Sequence, residues 1–337
     1  MNSLERVAAT LSFRTPDRVP VMAQVFGHAA TLAEVKLGDY VRDGALLARC
    51  QIHALEYYGY DAVFALMDVG VETEALGSTL TYRDNQYPFV QSYVLAGGVN
   101  LDDLDVPDPR RAGRMPEILK AASILRQEVG QDVPVVGCVM GPMTLATQML
   151  GIERALYLAI DQPERFAHLL DFAAEVAIRF GLAQLEAGAH LPIVFDPSSS
   201  PDVIPPAFYR EFALPRLTRV FAAFKQAGSM VNWIHTAGMA APILPFYPQA
   251  GVELANIDFS VDPQQAMQTL PHTCLDGNIK TLAFVEATPA EIAAESSRLL
   301  KIFASRGGFI LSSGCEIPPE SKPDNIAAMV LATRQPG

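Results

Sequence analysis

Short apolar runs rich in Val, Ile and Phe alternate along this chain with longer segments of helical period. The strand-like runs are "VPVMAQ" (19–24), "DAVFALMD" (61–68), "VPVVGCVMG" (133–141) and "LPIVFDPS" (191–198). Four more follow, "MVNWIHTA" (230–237), "ELANIDF" (253–259), "TCLDGNI" (273–279) and "GFILSSGC" (308–315). Between most of them lie helical segments such as 163–188 and 206–228. The first opens with Pro163, and the two close on Gly188 and Gly228, the expected asymmetry of helix starts and stops. Pro215, inside the second, predicts a kink or break there.

Strands that are apolar throughout, rather than alternating, fit a sheet buried on both faces. Eight of them separated by helices predict an α/β fold of the (β/α)8 TIM-barrel type. An open doubly wound sheet would want a Gly-rich phosphate fingerprint after an early strand, and none is present. The stretch 74–95, "EALGSTLTYRDNQYPFVQSYVL", alternates around a "DNQYP" turn and reads as a β-hairpin inserted after strand two. No internal repeat or low-complexity tract breaks the pattern, so residues 1–337 read as one barrel domain.

Charge and cysteine usage narrow the function classes. With 25 basic against 37 acidic residues, a formal net charge of −12, the chain lacks the basic footprint of nucleic-acid or anionic-membrane binding. Cys50, Cys138, Cys274 and Cys315 lie far apart with no C-x-x-C pair, as in a reduced, cytoplasmic protein. The N-terminal "MNSLERVAATL" is an amphipathic helix without a signal h-region, and no apolar run reaches a membrane span.

In a barrel, chemistry collects at the C-terminal ends of the strands. Strand two ends in Asp68, followed by Glu72 and Glu74. Strand three ends in "MGPMT" with Met140, strand four in Asp196, strand five in His235 and strand six in Asp258. Strand seven ends in Asp276 to Asn278, and strand eight in Cys315 and Glu316. Asp196 and Asp258 also suit loop or helix caps, and Cys138 and Cys274 suit small core positions. Neutral imidazole and thiolate are the ligands zinc prefers, which singles out His235 and Cys315. Side-chain alternation puts position 237 on the face of His235, but that residue is alanine. Two ligands stand where a catalytic zinc normally has three.

Several stretches together resemble the uroporphyrinogen decarboxylase superfamily along nearly the whole chain. They include "RTPDRVPV" (14–21), "GYDAVFALMD" (59–68), "GPMTLATQMLG" (141–151), "IDFSVDPQQA" (257–266) and "SSGCEIPPESKPDNIAAMV" (312–330). The resemblance implies a (β/α)8 barrel with its site at the strand C-termini. True decarboxylases carry an arginine-bearing "MRQAGR"-like segment after the first strand. Here the position reads "MAQVFGHAA" (22–30), without arginine, although Asp68 matches their pyrrole-holding aspartate. The branch most similar is that of cobamide-dependent methyltransferases, which hold zinc with a His-x-Cys pair on strand five and a Cys after strand eight.

On that resemblance His235 and Cys315 are expected zinc ligands, with Ala237 departing from the pattern. Asp196, Asp258, Glu72, Asp276 or Cys274 remain as completing ligands. Asp68, Glu72 and Asp196 are expected to line the catalytic pocket, and Met140, Asp258 and Asn278 to contact substrate. The implied activity is methyl transfer, or demethylation, between a small-molecule donor or acceptor and methylcobamide on a separate corrinoid protein. A homodimer is compatible with the sequence. Decarboxylation of a carboxylated tetrapyrrole centred on Asp68, and a non-catalytic ligand-binding barrel, are the alternatives.

Overall fold

The computed structural model describes residues 1–334; residues 335–337, the end of the expected 1–337 domain, lie outside the described residues. Its main sheet is parallel and curled, with seven strands: β1 (Val63–Phe64), β4 (Val135–Met140), β5 (Leu191–Phe195), β6 (Trp233–His235), β7 (Leu254–Ile257), β8 (Cys274–Ile279) and β9 (Phe309–Ser313). They neighbour one another in chain order, the simplest right-handed crossover pattern. Every residue of these strands is buried, as a sheet covered on both faces requires. Helices make the crossovers, among them Pro142–Leu150, Pro163–Ala187, Leu214–Gln226 and Pro289–Phe303. This is an α/β architecture of the TIM-like kind.

The expected strand at 19–24 is reduced to one bridge. Val21 pairs with Leu311 of β9, and the Asp61 N–H donates to the Val21 carbonyl at 2.6 Å. Pro20 in this run has no N–H to give a ladder, which shortens the strand. The antiparallel pair between β1 and β4, β2 (Thr79–Arg83) and β3 (Gln86–Ser92), turns at Asp84–Asn85 and falls within the predicted hairpin stretch. Helix Pro163–Ala187 ends on Gly188 at φ +116°, a left-handed cap for which glycine carries no side-chain penalty. Before Pro215 the predicted break takes the form of a π-turn over Tyr209–Ala213.

Register fixes what faces inward. Phe195 pairs with His235, His235 with Asn256, and Asn256 with Asp276, so these side chains share one face. The Phe64 ring lies 6.2 Å from Trp233, Phe26 lies 5.1 Å from Phe64, and Phe195 lies 4.8 Å from His235. The interior is therefore filled by aromatic rings up to the level of the histidine. Among the described residues, no helix is long and apolar enough to cross a membrane.

Candidate active site

His235 ends β6 at 1% exposure, and its ring is oriented by an in-register relay. Its Nδ1 meets Asn256 Oδ1 at 2.5 Å, the Asn256 amide donates to Asp276 Oδ2 at 2.6 Å, and Trp233 Nε1 donates to Asp276 Oδ1 at 2.8 Å. Because the Asn256 nitrogen is committed to a carboxylate, its oxygen must accept, and the histidine proton sits on Nδ1. The Nε2 lone pair is left free of protein partners among the described residues. Burial pulls the imidazole below its ordinary range, opposed by Asn256, Asp276 and Asp258. The ring is thus neutral at pH 7, with one basic nitrogen. Burial also pushes Asp276 up to about 7.

Cys315 follows β9 and is partly exposed; burial of its thiol pushes it up to about 11, so it stays protonated at neutral pH. Asp258 is the carboxylate whose charge bears on both His235 and Cys315. Its Oδ1 accepts from the Ser260 N–H at 3.0 Å. Asn278 donates to the Asp258 and Val261 carbonyls at 3.2 and 2.8 Å, so its amide nitrogen braces the loop after β7.

The other expected residues are drawn into local roles. Asp68 accepts from Arg114 and from the Gly70 N–H at 2.8 Å. Arg114 also binds Glu74 at 2.6 Å and the Val41 carbonyl at 2.8 Å. Glu72 accepts from the Met140 N–H at 2.8 Å, and burial pushes it up to about 7. Met140 closes β4, buried, with its N–H taken by that bond. Asp196 Oδ1 takes the Thr144 N–H and hydroxyl at 2.7 and 2.8 Å, at the start of helix Pro142–Leu150. A Cβ on Gly141 would lie 2.3 Å from its carboxyl carbon, so only glycine admits Asp196 there. Burial pushes Asp196 up to about 6.

Zinc can be tested against these donors. His235 Nε2 and the Cys315 thiol are suitable, but among the described residues no three His, Cys, Asp or Glu side chains converge to hold a metal ion. Cys274 is buried at the start of β8, Asp276 is bonded by Trp233 and Asn256 and Glu72 by the Met140 N–H, and Asp196 leaves Oδ2 alone without a partner. The donor set does not complete a three-ligand site.

Sequence reasoning passed over Arg114, Asn256, Tyr87 and Gln24. Tyr87 of β3 hydrogen-bonds Glu316 and accepts from the Gly27 N–H at 2.7 Å, and burial pushes Glu316 up to about 7. Arg114 sits in the polar loop ahead of a helix, where nothing local marks it. Asn256 carried a usable signal: it lies on the strand next to His235, two residues before Asp258.

The Uroporphyrinogen decarboxylase (URO-D) family profile matches residues 2–336. The chain is 29% identical over 335 residues to the methylcobamide:CoM methyltransferase MtaA of Methanosarcina barkeri, covering 97% of this chain and 96% of that protein. It is also 29% identical over 306 residues to the uroporphyrinogen decarboxylase of Syntrophotalea carbinolica, covering 88% and 85%. Among solved structures, a methyltransferase from Methanosarcina mazei superposes with a TM-score of 0.90 at 26% identity, covering 99% of this chain and 98% of that one.

Proposed function

Since the chain belongs to the uroporphyrinogen decarboxylase (URO-D) family, we propose that it is a cobamide-dependent methyltransferase, moving a methyl group between a corrinoid protein and a small-molecule donor or acceptor. The Val21 bridge and the seven strands together are read as the eight positions of a closed (β/α)8 barrel, with β2–β3 inserted after its second strand. The observation that carries the reading is His235: a neutral imidazole, oriented by Asn256 and Asp276, with its Nε2 free above an aromatic floor.

No step is routed through zinc, because the donors do not complete a site. When a protic acceptor takes the methyl group, it loses a proton, and His235 Nε2 receives it. In the reverse direction Nε2–H returns that proton to the demethylated donor. The Asn256–Asp276 relay holds the tautomer and favours the imidazolium formed, as a carboxylate-backed histidine does. The corrinoid, supplied by a separate protein, is the methyl carrier. The floor of Phe26, Phe64 and Phe195 excludes water and suits a small apolar methyl group better than a polycarboxylate.

Decarboxylation is less well supported. It needs the Asp68 carboxylate for pyrrole N–H groups, yet Asp68 is engaged by Arg114 and Gly70. The test is loss of methyl from methylcobalamin, followed by absorbance, with a small thiol as acceptor. Turnover should fall about 10²- to 10⁴-fold in His235→Ala, the usual contribution of a positioned base. Absent turnover together with porphyrinogen decarboxylation would reverse the assignment.

A further inference from the structure

Gln24 is a neutral residue buried to 0% exposure, and both its amide nitrogen and its amide oxygen lack any hydrogen-bond partner. Gln24 lies in the non-strand stretch after the Val21 bridge, where the Val25 N–H turns back to the Ala23 carbonyl at 2.7 Å. Its own carbonyl accepts from the Ile317 N–H at 3.0 Å, which sets it beside the segment that carries Cys315 and Glu316. Two residues on, Phe26 packs against Phe64 and Phe195, so Gln24 sits at the layer of the site. An amide with neither end satisfied costs a fold stability, and such a cost persists where a ligand uses the group.

The charges around it limit that ligand. Arg114, the buried cation of this region, is spent on Asp68 and Glu74. Asp258, Asp276 and Glu316 have no ion-pair partner among the described residues. Lys280 stands outside on the rim, exposed and over the Phe259 ring. An anionic substrate head would meet the Asp258 carboxylate and a neutral amide, with the buried Arg114 already engaged by Asp68 and Glu74.

We propose that Gln24 recognises the polar end of the small methyl donor or acceptor, and that this substrate is neutral or cationic rather than anionic. The inference rests on the methyl-transfer reading for the identity of the substrate, though not for the ligand-binding role of the amide. An acceptor with a hydroxyl or ammonium head would donate to Gln24 Oε1, while a hydroxyl oxygen could accept from Nε2.

Three thiols of equal length separate the heads: 2-mercaptoethylamine, 2-mercaptoethanol and 2-mercaptoethanesulfonate. With methylcobalamin as donor, the amine and the alcohol should react at least about tenfold faster than the sulfonate, and Gln24→Glu should widen the lead of the amine over the alcohol. Gln24→Leu should lose about tenfold or more with both, while its Tm rises by about 2–4 °C because an unsatisfied buried amide is gone. Gln24→Met repeats the test should leucine fit poorly. Preference for the sulfonate overturns the charge inference, and a lowered Tm in both Gln24→Leu and Gln24→Met, or unchanged turnover, overturns the role of the amide. Should the wild type turn over none of the three, the methyl-transfer reading fails. Thermal shifts with the same compounds then decide the charge preference by themselves.

Discussion

Asp61 and Gln24 are both fully buried polar side chains near the first strands, and they are treated in opposite ways. Asp61 accepts from the Ser3 hydroxyl at 2.8 Å, from Arg6 at 2.7 Å, from Arg18 at 2.7 and 2.9 Å, and from the Val21 N–H at 2.8 Å. At the foot of the sheet, every lone pair of Asp61 is used. At the other end, the Gln24 side-chain amide and Asp196 Oδ2 have no partner, and the hydrogen bond of the His235 ring among the described residues is made by Nδ1. Saturation of Asp61 ties the N-terminal helix to the sheet, whereas Tyr60, Asn232 and Arg306, also just ahead of strands, keep buried polar atoms without a partner.

The contrast breaks first at the foot. Asp61→Ala leaves Arg18, with its side chain 16% exposed, without its carboxylate and frees Arg6 Nη1, while Arg6 keeps Asp17. Denaturant unfolding should show a loss of ~3–5 kcal/mol, the cost of stripping a buried pair. A loss below ~1 kcal/mol would mean water replaces the carboxylate and the foot is not saturated.

Next comes Asp196, half satisfied and wholly buried. A carboxyl whose folded pKa exceeds its unfolded value helps the fold fully below the unfolded value of 3.8, and that help is lost as pH rises through about 6. Asp196→Asn cannot ionise and keeps an oxygen for Thr144. Its stability relative to wild type should grow between pH 4 and pH 6, by up to ~3 kcal/mol. Equal pH profiles for the two proteins would show that Asp196 has its proton equilibrium set by partners, not by burial.

The smallest effect on folding, yet a sharp one for chemistry, concerns Ala237. Protein purified without added metal should hold well below one zinc per chain by elemental analysis. Ala237→Cys adds a thiolate on the face of His235 and should raise zinc towards one per chain with little change in Tm. Stoichiometric zinc in the wild type would mean that Asp258 or another donor moves in to complete the site.

Much of this was legible along the chain. The uniformly apolar runs predicted seven of the strands, because a sheet buried on both faces leaves no polar side to interrupt them. They overestimated β1, where Asp61 turns to side-chain bonding, and the 19–24 strand, where Pro20 has no N–H for a ladder. The strand-end rule located His235, Cys315, Asp258 and Asp276 in one region, and the residue types named the chemistry open to them. Within the 74–95 stretch the antiparallel pair Thr79–Arg83 and Gln86–Ser92 was legible, since alternation and an Asp–Asn turn are local signals.

What only the tertiary structure decided is pairing between distant residues. That Arg114 answers Asp68, 46 positions away, that Asp196 belongs to Thr144, and that Tyr87 reaches Glu316 follow from packing, which local periodicity does not encode. The same holds for His235: the residue was visible in the sequence, but its tautomer was set by Asn256 and Asp276 arriving in register on the next two strands. Hydrophobic pattern is written residue by residue in the chain, because burial depends on a side chain's own transfer free energy. Which polar atoms end satisfied and which stay open depends on three-dimensional neighbours, and in this protein it separates Asp61 from Gln24.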